Sequence, residues 1–157
     1  MATHPPCGLY RTTVALEGVP VGRLVYFHNH GNPGAGIYLP QSWETNRARW
    51  QPNGFTVPGP EYSQTLSPLP AEGLYRVKES FFCCARKCRE YPAETLVQLG
   101  YNGEAEGILF LPEWAGGSLG FPERGTKIDA ANFARLAPLG VAQAKAEPAT
   151  LPGGLLH

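Results

Sequence analysis

The chain has 157 residues, of which 43% are hydrophobic, and its 13 basic residues balance 13 acidic ones. The hydrophobic share is that of a folded domain and excludes disorder of the whole chain. The charge balance argues against a general nucleic-acid-binding protein, because neutralising phosphates needs a surplus of Lys and Arg. No stretch reaches the roughly 18 apolar residues of a membrane-spanning helix, and the first ten residues lack the pattern of a secretory signal. We therefore expect a cytoplasmic protein, in a bacterial-type cytosol, with reduced cysteines and no membrane partner.

From its start the chain shows the signals of short β-strands joined by turns. After an N-terminal arm, GLYR begins a first strand, and RLVYF and GIYL flank a turn that contains glycine, which predicts a hairpin. GFTV predicts a fourth strand, GPEYSQTL holds the place of a helical turn, and SPL predicts a last strand. The 19 glycines and 16 prolines disfavour long helices.

The same series of elements then recurs, as GLYR, TLVQL, GILFL, GTKI, a helical turn that begins at Asp129, and APL. Residues 20–31 align with residues 92–103 at a spacing of 72, and later matches have a spacing of 71. These later matches are Gly36 with Gly107, Ile37 with Ile108, Trp43 with Trp114, Trp50 with Phe121, Gly54 with Gly125, Val57 with Ile128 and Tyr62 with Phe133. The pattern predicts an internal duplication. Its boundaries are an arm at 1–7, units at 8–71 and 72–143, and a flexible tail at 144–157.

The order of strand, long loop, hairpin, strand, helical turn and last strand resembles that of SH3-like small β-barrels. The resemblance lies in element order, without a matched family motif, and it implies an all-β fold of two tandem barrels or partly open barrels. The connection between the units is short, and each unit is small. We therefore expect the two units to pack together and share a core.

Side-chain alternation along the central hairpins assigns faces to the paired positions. The inward positions are predicted to be Val25 and Val97, Phe27 and Leu99. The positions predicted to face solvent are Tyr26 and Gln98, His28 and Gly100.

The tripeptide HNH at residues 28–30 permits two interpretations. An HNH nuclease has its histidines and asparagine distributed over a ββα unit, whereas here they are adjacent, so the nuclease interpretation is not favoured. A His-x-His pair is nevertheless able to chelate zinc, copper or nickel. The second unit carries Gly100 and Asn102 at these positions, which favours surface histidines in a turn.

Three of the four cysteines, Cys83, Cys84 and Cys88, lie in the stretch FFCCARKCREY. With Cys7 as a fourth thiolate they are candidate zinc ligands. The chain has no Cys-x-x-Cys pair, and adjacent cysteines are poorly placed to reach one ion, so free thiols that behave as small hydrophobes are favoured. A disulfide or redox role stays open.

The same stretch holds Arg86, Lys87 and Arg89, which would favour a thiolate nucleophile, although no partner base is recognisable. The stretch enlarges the loop after GLYR from eight residues, 12–19, to fifteen residues, 77–91. We therefore expect that the basic fold does not require it.

The recurring aromatic residues are expected mainly in the cores, but SWETNRARW also predicts an exposed strip of aromatic and basic side chains. The SH3-like resemblance implies a groove for extended or proline-rich peptides at such a strip. The candidate binding residues are Trp43, Arg47, Arg49, Trp50 and Trp114.

No catalytic set is present, so the sequence favours a non-enzymatic protein-binding or structural module without a cofactor. The alternative is a small metal-binding or thiol-dependent enzyme centred on Cys83, Cys84 and Cys88, with zinc as its ion. A third hypothesis, nucleic-acid binding, predicts salt-dependent affinity through the basic residues; these are Arg47, Arg49, Arg86, Lys87 and Arg89. The tail at 144–157 is a candidate docking peptide for a partner protein or for self-assembly.

Overall fold

The computed structural model describes residues 3–31 and 34–142, which form an all-β structure with two short helical segments. The predicted all-β class is thus confirmed, whereas the tail at 144–157 lies outside the described residues. The strands of the first half are β1 (Gly8–Arg11), β2 (Leu24–His28), β3 (Gly36–Tyr38), β4 (Pro40–Glu44), β5 (Arg47–Trp50), β6 (Phe55–Thr56) and β7 (Ser67–Pro68). Those of the second half are β8 (Gly73–Val77), β9 (Phe81–Phe82), β10 (Glu90–Tyr91), β11 (Leu96–Tyr101), β12 (Gly107–Phe110), β13 (Glu113–Ala115), β14 (Ser118–Gly120), β15 (Thr126–Ile128) and β16 (Leu136–Pro138).

The helical segments lie before the last strand of each half, as the sequence predicts. They are an α-helical turn, α1, at Pro60–Ser63 and a 3₁₀ helix at Ala130–Arg135. Asp129 occupies the N-cap position of the 3₁₀ helix, but its side chain makes no capping hydrogen bond. Within the described residues, no helix is long and apolar enough to cross a membrane.

Two five-stranded antiparallel sheets have the same strand order. The first sheet runs β6-β3-β2-β1-β7, and the second runs β15-β12-β11-β8-β16. The predicted hairpins, fourth strands and last strands all take their expected places in these sheets. Within the described ranges no strand pairing joins the two edges of either sheet, so both sheets are open rather than closed barrels.

The two GLYR segments share local details that explain why the tetrapeptide recurs. Gly8 and Gly73 have φ angles of 156° and 144°, which favour glycine because it lacks a Cβ. The Tyr10 hydroxyl donates to the carbonyl of Pro6 at 2.7 Å, and the Tyr75 hydroxyl donates to the carbonyl of Ala71 at 2.6 Å. Each buried tyrosine thereby satisfies its polar end and ties its first strand to the chain four residues upstream.

Two apolar clusters form the core, and one of them contains residues from both halves. The first cluster lies within the first half and includes Val25 and Phe27. The second cluster contains Val97, Leu99 and most other core residues of the second half, together with Leu24, Ala48 and Trp50 of the first half. The four residues predicted to point inward, Val25, Phe27, Val97 and Leu99, are all fully buried, so that prediction is confirmed.

The prediction that the opposite face of these strands is solvated is wrong. Gln98 and His28 are each only 9% exposed, and Gly100 is buried. The hairpin β4–β5 of the first half covers Gln98 and Gly100, whereas the side chains of Cys7 and His30 lie against His28.

Two hairpins, β4–β5 and β13–β14, occupy equivalent places in the two halves and turn in the same way. Thr45 and Asn46 have φ angles of 50° and 66°, and Gly116 and Gly117 have φ angles of 58° and 80°. Two consecutive positive φ angles are typical of the type I′ turn, which suits the twist of paired strands. Asn46 is buried at its turn, whereas both glycines of the other turn are exposed.

Candidate functional site

The tip of the β4–β5 hairpin docks on the outer face of the second sheet. The Asn46 side-chain amide donates to Gln98 Oε1 at 2.9 Å and to the Pro122 carbonyl at 3.0 Å. The Gln98 amide donates in turn to the Thr45 carbonyl at 3.1 Å. A Cβ atom at position 100 would lie 2.7 Å from the Asn46 carbonyl oxygen, so glycine is required there for the close approach.

A carboxyl group connects β5 to the start of the second half. The backbone N–H of Ala48 donates to Glu72 Oε2 at 2.9 Å. Burial raises the pKa of Glu72, and this effect outweighs the opposing influence of the Ala48 hydrogen bond and of the Arg47 charge. The carboxyl group of Glu72 thus links β5 to the residue that precedes the first strand of the second half.

A cleft of about 460 Å³ opens beside this junction. Its lining includes the apolar side chains of Leu9, Tyr26, Trp50 and Leu69 together with Arg47 and Arg49. Trp50 is 6% exposed and lies 5.8 Å from Tyr26 between ring centroids. The volume of the cleft is in the range of sites that bury a small ligand or a large side chain.

The structure brings together only part of the predicted aromatic and basic strip. Arg47, Arg49 and Trp50 share the cleft, but Trp43 lines a different cleft of about 410 Å³, beside Tyr101. Trp114 is in neither cleft. It lies on β13, is 75% exposed and pairs across the hairpin with Leu119, which is also exposed.

The stretch that contains three cysteines forms a small hairpin, β9–β10, which is partly built into the core. Phe81 and Tyr91 are buried and stack with ring centroids 5.2 Å apart. Cys83 is also buried, and its carbonyl accepts a hydrogen bond from the backbone of Asp129 at 2.9 Å. Part of this enlarged loop is therefore core of the second half, which the comparison of loop lengths does not reveal.

The three thiols of this loop converge. The Sγ atoms of Cys83 and Cys84 are 3.5 Å apart, those of Cys84 and Cys88 are 3.9 Å apart, and all three lie within 4.8 Å of one another. The objection that adjacent cysteines cannot reach one ion therefore does not hold here. The Cys83 thiol and the backbone at Cys88 and Arg86 lower the pKa of Cys84, and the hydrogen bond to Cys84 raises the pKa of Cys88.

The predicted fourth thiolate, Cys7, does not join this group. Its Sγ lies 3.8 Å from His28 Nδ1 and 3.9 Å from His30 Nδ1, at the end of the first sheet. The predicted set of four cysteines is therefore split into two clusters, each with three donors. Sequence reasoning missed the second cluster because Cys7 is 21 and 23 residues from the two histidines. The signal that could have revealed it is the β1–β2 register, which pairs Gly8 with Phe27.

The basic residues of the cysteine loop, Arg86, Lys87 and Arg89, are exposed. Lys87 Nζ lies 5.2 Å from the centre of the Phe82 ring, a distance that suits a cation–π contact.

Comparison with protein-family models, with curated protein sequences and with solved structures gives no match to this chain.

Proposed function

We propose that this protein is a non-enzymatic assembly module, made of two duplicated SH3-like units, that binds other copies of itself. The equal strand order of the two sheets supports the duplication. So do the matching hydrogen bonds of Tyr10 and Tyr75 and the matching turns of the hairpins β4–β5 and β13–β14. These matches extend beyond sequence identity to backbone conformation.

The exposed hairpin β13–β14 carries the proposal. The equivalent hairpin, β4–β5, buries Asn46, Ala48 and Trp50 against the rest of the chain. Its Trp43 and Ala48 are cross-strand partners, as are Trp114 and Leu119 in β13–β14. Every residue of β13 and β14 is exposed. The apolar pair of Trp114 and Leu119 is therefore left uncovered by the described part of the chain, as expected for side chains that bind a partner.

The cleft beside Trp50 fits this hairpin as the binding surface on a second copy. Its apolar side chains suit Trp114 and Leu119. Arg47 and Arg49 complement the exposed Glu113 at the base of the hairpin, although Arg49 also pairs with Glu44 at 3.3 Å. Because the hairpin and the cleft are different surfaces, the contact is head-to-tail. Such contacts generate rings or open chains.

Sedimentation equilibrium at increasing protein concentration tests this function. We expect the mass of the wild-type protein to rise above that of a 17.0 kDa monomer, and the Trp114→Ala variant to remain monomeric, because truncating an aromatic anchor removes much of an interface energy. Val21→Ala, another exposed apolar position, is the matched control and should assemble like wild type. A wild-type protein that stays monomeric, or a Trp114→Ala variant that assembles equally well, would refute the proposal.

A second candidate function, metal binding by the cysteine loop, is favoured by the convergence of Cys83, Cys84 and Cys88. Sulfur ligands of a tetrahedral zinc ion lie about 2.3 Å from the metal, which separates them by roughly 3.8 Å. The observed separations of 3.5 and 3.9 Å are close to this value.

For this second candidate we expect the C84S/C88S variant to bind one equivalent of zinc fewer than wild type. Neither side chain is fully buried, so the fold should survive, and circular dichroism provides the check. Metal content is measured on protein without an affinity tag. Equal zinc content in the two proteins would eliminate the loop as a metal site.

A further inference from the structure

We propose that Cys7, His28 and His30 form a metal site, separate from the cysteine loop, for a borderline ion such as Zn²⁺ or Co²⁺. The three donor atoms lie within 4.8 Å of one another. They belong to two segments of the chain, the N-terminal arm and the end of β2. An ion at this position would tie the arm to the first sheet.

The donor separations suit a tetrahedral ion. In a tetrahedral site, bonds of about 2.3 Å from metal to sulfur and about 2.0–2.1 Å from metal to nitrogen place the sulfur and the nitrogen roughly 3.6 Å apart. The Cys7 sulfur lies 3.8 Å from His28 Nδ1 and 3.9 Å from His30 Nδ1. Small rotations of the side chains are enough to bring the observed sulfur–nitrogen distances to the expected value. Binding of the ion would replace the 2.7 Å hydrogen bond between His30 Nδ1 and Asn29 Oδ1.

The backbone around the cluster holds the sulfur in place. Gly8 pairs with Phe27 in the β1–β2 ladder, so Cys7 lies beside the residue that follows Phe27. The backbone N–H of Asn29 donates to Cys7 Sγ at 3.3 Å. The Asn29 side-chain amide donates to the Pro5 carbonyl at 3.1 Å, which fixes the arm on the other side of the sulfur.

The donor set determines the class of ion. One thiolate and two imidazoles suit zinc, cobalt and copper, whereas magnesium and calcium prefer oxygen ligands. Three protein ligands leave a fourth position, as in sites that keep a water or a small ligand. His28 and His30 also line a cleft of about 280 Å³, which provides room for such a group.

A cysteine nucleophile with a histidine base is the competing interpretation of these residues. In such a set one imidazole nitrogen faces the sulfur and the other nitrogen faces the orienting group. Here the same atom, His30 Nδ1, lies beside both Cys7 and Asn29, so His30 cannot relay a proton between them. The convergence of three donors on one point suits an ion better.

The second half shows that the fold does not need this cluster. The residues at the equivalent positions are Glu72, Gly100 and Asn102, and they build the same strands without a cysteine or histidine. The cluster is therefore a specialisation of the first half. It does not depend on the proposed self-assembly.

Cobalt titration of the tag-free C84S/C88S variant tests the site, since this background removes the other thiol cluster. We expect one equivalent of Co²⁺ to bind, with the near-ultraviolet absorption of thiolate-to-cobalt charge transfer and the visible bands of a tetrahedral ion, and Zn²⁺ to displace it. Adding Cys7→Ser should abolish the charge-transfer absorption. Adding His30→Ala should weaken the affinity for cobalt by at least about 10–100-fold, which is the loss caused by removing a residue that only hydrogen-bonds to a metal ligand. His30 is exposed, so this variant should fold even if Cys7→Ser does not.

Three results would overturn the site. The first is absence of stoichiometric cobalt binding in the folded C84S/C88S protein. The second is an unchanged charge-transfer band in the protein that also carries Cys7→Ser. The third is an unchanged affinity in the protein that also carries His30→Ala, with circular dichroism confirming that each variant is folded.

Discussion

Replacing Trp50 by alanine is expected to lower the free energy of unfolding by about 3–5 kcal/mol. Trp50 belongs to the first half but is buried in the cluster that forms the core of the second half. Its removal would leave a cavity at the place where the two halves meet. Because small domains are stable by only about 5–15 kcal/mol, this single change should remove a large part of the total.

Urea denaturation, followed by circular dichroism, measures the effect of Trp50→Ala. Trp114→Ala is the matched control, because the same indole is removed from a site that is 75% exposed, and it should change stability by no more than about 0.5 kcal/mol. Equal decreases in the free energy of unfolding of the two variants would show that Trp50 does not stabilise the contact between the halves.

Replacing Asn46 by alanine is the second change with a large expected effect, about 2–5 kcal/mol. Its side chain donates to Gln98 Oε1 and to the Pro122 carbonyl, and loss of a donor from a buried acceptor costs about 1–3 kcal/mol. Asn46 also has a φ angle of 66°, where alanine costs about 1–2 kcal/mol more than a residue that tolerates the left-handed region.

Two control variants separate these contributions in urea denaturation. Asn46→Gly keeps the backbone conformation accessible and should show the loss of the hydrogen bonds alone. Gly117→Ala, in the exposed turn of the equivalent hairpin, should show the backbone cost alone, about 1–2 kcal/mol. An Asn46→Ala variant as stable as wild type would contradict the docking of β4–β5 on the second sheet.

The strands and the inward faces could be predicted because they follow from local patterns. Alternation of apolar residues and the repeat itself determine which side of β2 and β11 points inward, and Val25 and Val97 are buried as expected. The outer faces could not be predicted, because their burial depends on a contact between Asn46 and Gln98, which are 52 residues apart. Nothing in the sequence near Gln98 shows that a hairpin covers it.

The candidate sites could be predicted only in part for the same reason. Cys83, Cys84 and Cys88 are close in sequence, and a turn in one loop is enough to bring their sulfur atoms together. The position of Cys7 at the start of the first strand makes it a candidate fourth thiolate, but the β1–β2 register places it beside His28 instead. Likewise, the repeat makes Trp43 and Trp114 equivalent, but it does not reveal that only the first hairpin is docked.

The proposed head-to-tail assembly can be tested by sedimentation velocity on a mixture of two variants. The Trp114→Ala variant keeps the cleft but lacks the docking hairpin, whereas Arg49→Glu keeps the hairpin and places a like charge opposite Glu113. The side chain of Arg49 is 51% exposed, so the second variant should fold. We expect each variant alone to sediment as a monomer and the mixture to form a 1:1 dimer. A mixture that contains only monomers, beside a wild-type protein that assembles, would contradict it.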